Sequence, residues 1–337
     1  MFVVGLDVDT LVSFSTVTYF NTIWPFAGNF KRRVSPPGST TRPVGKILSF
    51  FPQRSFGVLN NQQVILTRPQ PASFRTDPEV IFDFDAPELS DHMQKHRKPE
   101  TDRELGYYLA GLIEGDGYIG AKRLEIAFHM DDISSAYYIK KRVGYGNVLF
   151  LKGKNSVRYV VRKLAGLERI YKLINGKLLG QPKINQLLGN RYAEQFGLPT
   201  LPPASFNLLT NHWLSGFTDA DGSFGIFIVR SKTHANGHNI RLPFRVKQKG
   251  RELPDLIYGA LGGHVYQFSD GMYEYTSTNF KVAHAVASYF DNFHLLNASK
   301  YINYLKWRDT YRMIQRKEHL TFEGLAKIRK LKENLRD

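Results

Sequence analysis

Two acidic pairs occur in the same local setting, Glu114-Gly115-Asp116-Gly117 and, 105 positions later, Asp219-Ala220-Asp221-Gly222. Each ends an apolar run, Leu109-Ala110-Gly111-Leu112-Ile113 in one case and Leu214-Ser215-Gly216-Phe217-Thr218 in the other. On a helix, Gly111 and Gly115 lie one turn apart on one face, as do Gly216 and Ala220. Two such faces let helix backbones approach closely. The acids then sit at the helix C-termini, where the dipole repels negative charge and a bound cation relieves the repulsion. Side-by-side packing would bring Asp116 and Asp221 together, and paired carboxylates suit a divalent metal ion. A lone apolar helix ending in Asp-Gly is ordinarily a solvated cap. Two copies, each opening the same succession of elements, point instead to a shared site.

The elements around each pair repeat. In the first copy, a helix over Leu105–Gly117 leads to a short hairpin ending in Leu124–His129. A helix over Ser134–Val143 follows, then a second hairpin through Arg158 to Arg162 and a helix near Leu167–Asn175. In the second copy, a helix over Asn211–Gly222 leads to strands on either side of the Asn236-Gly237 turn, a hairpin signal. A helix around Leu253–Leu261, a hairpin turning at Ser269-Asp270-Gly271 and a helix over Phe280–Phe290 follow. Each copy reads α-β-β-α-β-β-α, an α+β class with two pseudo-symmetric repeats. The boundaries expected are 98–198 and 210–337, with 199–209 as linker and basic closing helices from Tyr304 onward.

Nine of the 16 prolines precede residue 98, and no long helical periodicity survives between them. Residues 1–97 therefore read as a largely irregular extension. The chain carries a net charge of +16, but ten of its 46 Lys/Arg and eight of its 30 Asp/Glu lie in that extension, so nearly all the excess lies beyond it. Such an excess favours a polyanionic partner. A chain beginning near Lys98 is expected to fold and act alone. The absence of cysteine excludes disulfides, thiolate metal sites and a cysteine nucleophile. No Lys or Arg precedes the first apolar stretch, and Thr10–Phe30, the longest uncharged run near the start, is too polar for a membrane span. A soluble protein is expected.

Both motifs resemble the LAGLIDADG signature of homing endonucleases, and the resemblance covers roughly residues 101–320. It implies a saddle of two antiparallel sheets, with the motif helices packed at a pseudo-twofold axis. It also implies that Asp116 and Asp221, with the backbone carbonyls of Gly115 and Ala220, hold two or more Mg²⁺ or other divalent ions shared between the repeats, for two-metal cleavage, while Glu114 and Asp219 are structural. Gln248 resembles a family glutamine near the attacking water, and His129 stands as its first-repeat counterpart, a departure in residue type. Lys183 and Lys300 resemble the family's active-site lysines. The opening Met1–Thr10 resembles cytochrome c oxidase subunit 1, which implies upstream exon read into an intron-encoded, mitochondrial protein.

Reading of the nucleic acid would fall to the hairpins. The stretch Asn239–Lys249 alternates Ile240, Leu242, Phe244 and Val246 with Arg241, Pro243, Arg245 and Lys247, as one strand with a core face and a cationic face. Arg230 and Lys232 lie on the same long hairpin, and Arg158 and Arg162 flank the equivalent strand of the first repeat. The reading is a monomeric endonuclease on double-stranded DNA. Its rivals are a maturase that binds the host intron RNA and a non-catalytic nucleic-acid-binding protein.

Overall fold

Thr101 and Glu104 fix where the first repeat begins. The Thr101 hydroxyl accepts from the Glu104 amide and the Glu104 carboxylate accepts from the Thr101 amide, at 3.2 and 2.9 Å. This capping box starts α1 (Asp102–Asp116). The computed structural model describes residues 87–335 except 235, all within a unit spanning Phe74–Asp337. The exon-like opening and the remainder of residues 1–86 lie outside the described residues.

After α1 come β1 (Gly117–Gly120), β2 (Arg123–His129), α2 (Ile133–Val143), β3 (Asn147–Phe150), β4 (Ser156–Val161) and α3 (Leu164–Ile174). Two further helices, α4 (Gln181–Gly189) and α5 (Tyr192–Phe196), precede the second repeat. That repeat runs α6 (Trp213–Asp221), β5 (Gly222–Phe224), β6 (Phe227–Arg230), β7 (His238–Arg241), β8 (Phe244–Gln248), α7 (Glu252–Leu261), β9 (His264–Gln267), β10 (Tyr273–Thr276) and α8 (Phe280–Asn292). The long helix α9 (Ala298–Gln315) and α10 (Phe322–Glu333) follow.

The two main sheets are antiparallel and have the same topology, β1-β2-β4-β3 and β5-β8-β10-β9. Their registers correspond. Gly117 faces Ile126, which faces Tyr159; Gly222 faces Val246, which faces Tyr275. Both tyrosines are fully buried, with α1 and α6 in the same core. The second repeat's part of that core is strongly aromatic: Phe224 meets Phe244, Phe290, Tyr304 and Trp307 at centroid distances of 5.2–5.7 Å.

The α-β-β-α-β-β-α order holds in the first repeat, and the second adds to it. The expected continuous strand over 239–249 is two strands, because Pro243 is buried rather than outward-facing and interrupts the alternation. β6 and β7 form a separate two-stranded ribbon beyond the main sheet. Helices α4 and α5 had no sequence expectation, since Gly180, Pro182 and Gly189 obscure their short apolar pattern.

Residues 87–97 contain no helix or strand yet dock on α8 and α9. Leu89 is buried, and its amide donates to Gln315 Oε1. The Arg97 amide donates to His294 Nδ1 at 2.7 Å, and the Ser90 carbonyl accepts from the buried guanidinium of Arg308 at 2.9 Å. A chain beginning at Lys98, expected to fold and act alone, would lose these partners. No helix among the described residues is long and apolar enough to cross a membrane.

Candidate active site

The motif helices α1 and α6 touch backbone to backbone. A Cβ on Gly111 would lie 1.9 Å from the Trp213 carbonyl oxygen, and one on Gly216 would lie 2.0 Å from that of Tyr108. Residues 111 and 216, like 108 and 213, occupy equivalent motif positions, so the contact is reciprocal, the signature of a twofold relation. The helix ends stay together. A Cβ on Gly115 would meet both Ala220 Cβ and Asp221 Oδ2 at 2.4 Å.

Asp116 and Asp221 thus share one place. Asp116 reaches solvent on one side. The chain packed around the rest of it, and then the like charge on Asp221, push its carboxyl up to about 6, while Lys300 and Lys183 act in the opposite sense. Burial also raises Asp221, against the bond from Gln248 and the charges of the same two lysines. Each lysine acts on both acids, so the four groups form one electrostatic cluster.

The lysines arrive symmetrically. Lys183 Nζ, on α4, donates to the Gly117 carbonyl, and Lys300 Nζ, on α9, donates to the Gly222 carbonyl, both at 2.5 Å. The sixth motif residues organise this delivery. Glu114 Oε1 accepts from the Leu179 and Gly180 amides at 2.7 and 2.9 Å, at the start of α4. Asp219 accepts from the Leu296 and Asn297 amides at 2.7 and 3.3 Å, at the start of α9, and from the Tyr108 hydroxyl at 2.7 Å. A carboxylate at a helix N-terminus is favoured by the dipole and satisfies unpaired amides. Glu114 and Asp219 are therefore built into the scaffold. Desolvation nevertheless pushes both up to about 7.

Glycine follows each pair for a reason of packing. Gly117 and Gly222 are extended, with φ −85° and −81°, rather than left-handed. A Cβ there would lie 2.6 Å from Ile113 Cα or 2.8 Å from Thr218 Cα.

Gln248 closes the second-repeat side, its Nε2 donating to Asp221 Oδ2 at 2.6 Å. His129 is not its counterpart. With Ile126 equivalent to Val246, the register equivalent of Gln248 is Phe128, a buried core residue. His129, one position on, faces the exposed side, where Nδ1 accepts from the Asp131 amide and Nε2 pairs with Asn155 Nδ2. Two-residue periodicity carries it to the opposite face.

The outer faces carry the remaining candidates. Arg245 stacks on Phe227 at 4.8 Å and faces Glu274 at 3.8 Å, while Lys247 lies over Phe268 at 4.7 Å. Phe227 pairs with Arg241 across the ribbon, which places Arg241 on the same side as Arg245. Arg230 departs from this. It pairs with His238, on the ribbon side shared by Ile228 and buried Ile240, where Arg329 approaches His238 at 3.3 Å. Lys232 is exposed in the ribbon loop. In the first repeat, Arg158 pairs with Glu125 at 3.1 Å, and Glu125 also pairs with Arg123 at 3.0 Å. These three residues, with Asp116, Tyr118 and Ala127, line a pocket of about 300 Å³. Sequence reasoning missed Arg123 and Glu125; only the register places them beside Asp116. Arg162 lines a separate pocket of about 360 Å³ with Tyr145, Asn147 and Lys163.

The donor set suits a hard cation. Among the described residues no cluster of three or more His, Cys, Asp or Glu side chains could hold a metal ion. The oxygen donors are two carboxylates and helix-terminal carbonyls. The amide one turn beyond Gly115, that of Ile119, donates to Gln186 Oε1, so the Gly115 carbonyl lacks its helical partner. Oxygen-only sets of this kind match Mg²⁺ or Ca²⁺.

Comparison with known proteins agrees with this geometry. The family model described as LAGLIDADG endonuclease matches residues 214–311. A Schizosaccharomyces pombe relative, named only as a cox1 intron-2 protein of 37.2 kDa, is 46% identical over 249 residues, covering 72% of this chain and 76% of the relative. A probable intron-encoded endonuclease 4 of Neurospora crassa is 29% identical over 68% of this chain, but the match spans only 44% of that longer protein. Among solved structures, the I-SmaMI LAGLIDADG homing endonuclease bound to cleaved DNA superposes with a TM-score of 0.55 at 21% identity, covering 68% of this chain and 96% of that one. The duplicated motif, the reciprocal helix contact and this relationship together establish that the chain belongs to the LAGLIDADG endonuclease family.

Proposed function

We propose that this chain is a site-specific endonuclease that hydrolyses both strands of a long DNA target with Mg²⁺, acting as a monomer. The observation that carries this reading is the convergence of Asp116 and Asp221 at the ends of two touching helices, each with a lysine delivered to the same carbonyl position. Asp116, Asp221 and the carbonyls of Gly115 and Ala220 would hold the metal. When bound, divalent metal stabilises the charge that develops on the phosphate and lowers the pKa of coordinated water. Gln248 holds the Asp221 carboxylate through Nε2, leaving its own oxygen to accept from water. Lys183 and Lys300 place positive charge beside the acids, where the scissile phosphates would lie.

Repeats 98–198 and 210–337, joined by 199–209, would each take one half-site. Arg241, Arg245, Lys247 and Lys232 would meet DNA in the second repeat, and Arg158 and Arg162 in the first. The kinship with a cox1 intron protein supports an intron-encoded origin in the mitochondrion. The test is incubation with Mg²⁺ and a plasmid carrying the uninterrupted oxidase subunit 1 gene. Linear product with ends at one position is expected. Specific binding without cutting under any divalent ion would overturn the reading, and accelerated splicing of the host intron in that case would establish the maturase reading instead.

A further inference from the structure

The helices that carry the two lysines lack side-chain caps of their own. The residue before α4 is Gly180, and that before α9 is Asn297, whose side chain makes no capping bond to the helix. Glu114 and Asp219 take the amides of residues that precede each helix, and an amide within the first turn finds its acceptor in the other repeat. Asp132, just before α2 of the first repeat, accepts from the Ser299 amide at 2.9 Å and from the Ser299 hydroxyl at 2.7 Å. Nearby, Ser135 Oγ donates to the Leu296 carbonyl at 2.7 Å. Reciprocally, Glu252 at the start of α7 accepts from the Gln181 amide.

The two braces are unequal. Asp132 is 3% exposed and makes two short bonds to the residue next to Lys300. Glu252 is exposed and makes a single contact of 3.4 Å, two residues before Lys183. A carboxylate on the first turn of a helix satisfies its amides and complements its dipole, and burial strengthens both effects.

We propose that Asp132 is a positioning residue that acts across the two repeats, holding the first turn of α9 through Ser299 and so setting the approach of Lys300 to the Gly222 carbonyl. The first repeat thereby controls the lysine of the second far more firmly than the reverse. This rests on Lys300 being an active-site lysine, so two readouts separate the ideas.

The first readout is independent of cleavage. Acylation of surface amines, quantified residue by residue by mass spectrometry, should show Lys300 labelling rise several-fold in Asp132→Ala while Lys183 stays unchanged. Equal labelling of Lys300 in wild type and variant would overturn the proposal. The second is strand-resolved single-turnover cleavage. Asp132→Ala should slow the same strand that Lys300→Ala slows, by roughly ten- to a hundredfold, and leave the strand slowed by Lys183→Ala untouched. Asp132→Asn, which keeps an accepting oxygen for the Ser299 amide, should restore most of the rate. Equal slowing of both strands would reduce Asp132 to general scaffold. If Asp132→Ala does not fold, Ser299→Ala, which removes only the hydroxyl bond, decides by the same two criteria. A wild-type protein that cuts neither strand refutes the endonuclease reading and leaves the labelling result to judge Asp132.

Discussion

The two repeats agree where they meet and differ where they face outward. At the shared axis, Asp116 matches Asp221, Lys183 matches Lys300, and Glu114 matches Asp219 in gripping the backbone before the lysine helix. On the outer faces, the equivalent cross-strand pair has exchanged its charges. Glu125 with Arg158 in the first repeat stands where Arg245 with Glu274 stands in the second. The second repeat adds the β6–β7 ribbon, and Gln248 occupies the register position of Phe128. Residues at the axis must fit a copy of themselves, so a change on one side disturbs both helices. The outer faces contact only what each repeat binds and are free to diverge.

The strongest way to break the comparison is at the axis. Asp116→Asn or Asp221→Asn should each abolish double-strand cleavage, while DNA affinity stays within about tenfold, about 1.4 kcal/mol. Plasmid linearisation and binding in Ca²⁺ would measure the two separately. Full cutting by either variant removes the shared-site assignment.

The axis was also the part most legible in the sequence. Small residues one turn apart, an acidic end and a second copy 105 positions on required only helical periodicity to interpret. The lysines were legible only through family resemblance, since their partners are backbone carbonyls 66 and 78 residues away. The grip of Glu114 and Asp219 was invisible, because backbone amides have no sequence signature. His129 was misassigned because a strand reverses its facing at every residue, so alignment by motif without register can err by one. Arg230 falls on the ribbon side opposite Arg241, a facing that membership of the hairpin alone does not give. The Pro-rich look of residues 1–97 concealed the docking of 87–97, which depends on buried Leu89, on donors of α9 and on acceptors at Gln315 and His294.

That docking supplies the next largest effect, and it belongs to the second repeat. A chain beginning at Lys98 should be less stable than one beginning at Pro87. Losing buried Leu89 removes about 1.5–3 kcal/mol of burial. The buried Arg308 guanidinium loses the Ser90 carbonyl but keeps Asp291 at 2.7 Å, which limits the damage. Thermal denaturation should show a drop of several degrees, at about 2–4 °C per kcal/mol for a domain of this size. Coincident melting curves would mean that the segment contributes nothing.

Glu114 and Asp219 sharpen the comparison through pH. Burial holds both carboxyls at about 7 in the fold, above their ordinary values of 4.5 and 3.8. The folded state therefore holds protons that the unfolded chain releases, and stability should fall as pH rises from about 4 to 7, then level off. Glu114→Gln keeps an oxygen for both amides, since Oε1 alone accepts them. Asp219→Asn must turn an amide group toward a backbone N–H, because both its oxygens accept, and should cost about 1–3 kcal/mol. Urea denaturation at pH 5 and pH 8 should show the slope reduced in both variants and the larger loss in Asp219→Asn. Equal losses would mean that the two grips are equivalent despite their geometry.

The smallest effects lie on the outer faces, where the repeats differ most. An arginine reading guanine is worth about 1–3 kcal/mol of discrimination. Arg245 should fall near the low end, because Glu274 already neutralises part of its charge and Phe227 holds its guanidinium in place. Arg245→Ala should relax preference at one or two base pairs of the second repeat's half-site and leave the rest unchanged. Lys247, 3.6 Å from Asp270 on the same face, carries a point charge without the planar fork that grips a base: Lys247→Ala should weaken all targets alike and reduce the slope of log affinity against log salt by about 0.9, the value of one phosphate contact. The additional cations of the ribbon imply that this half-site carries more of the binding energy and tolerates fewer substitutions than the half-site of the first repeat. Base-by-base substitution across the target, with binding and cutting measured separately, tests both statements. Equal penalties in the two half-sites would show that the ribbon extends the second sheet without adding to recognition, and uniform weakening by Arg245→Ala would place that side chain on phosphate rather than on a base.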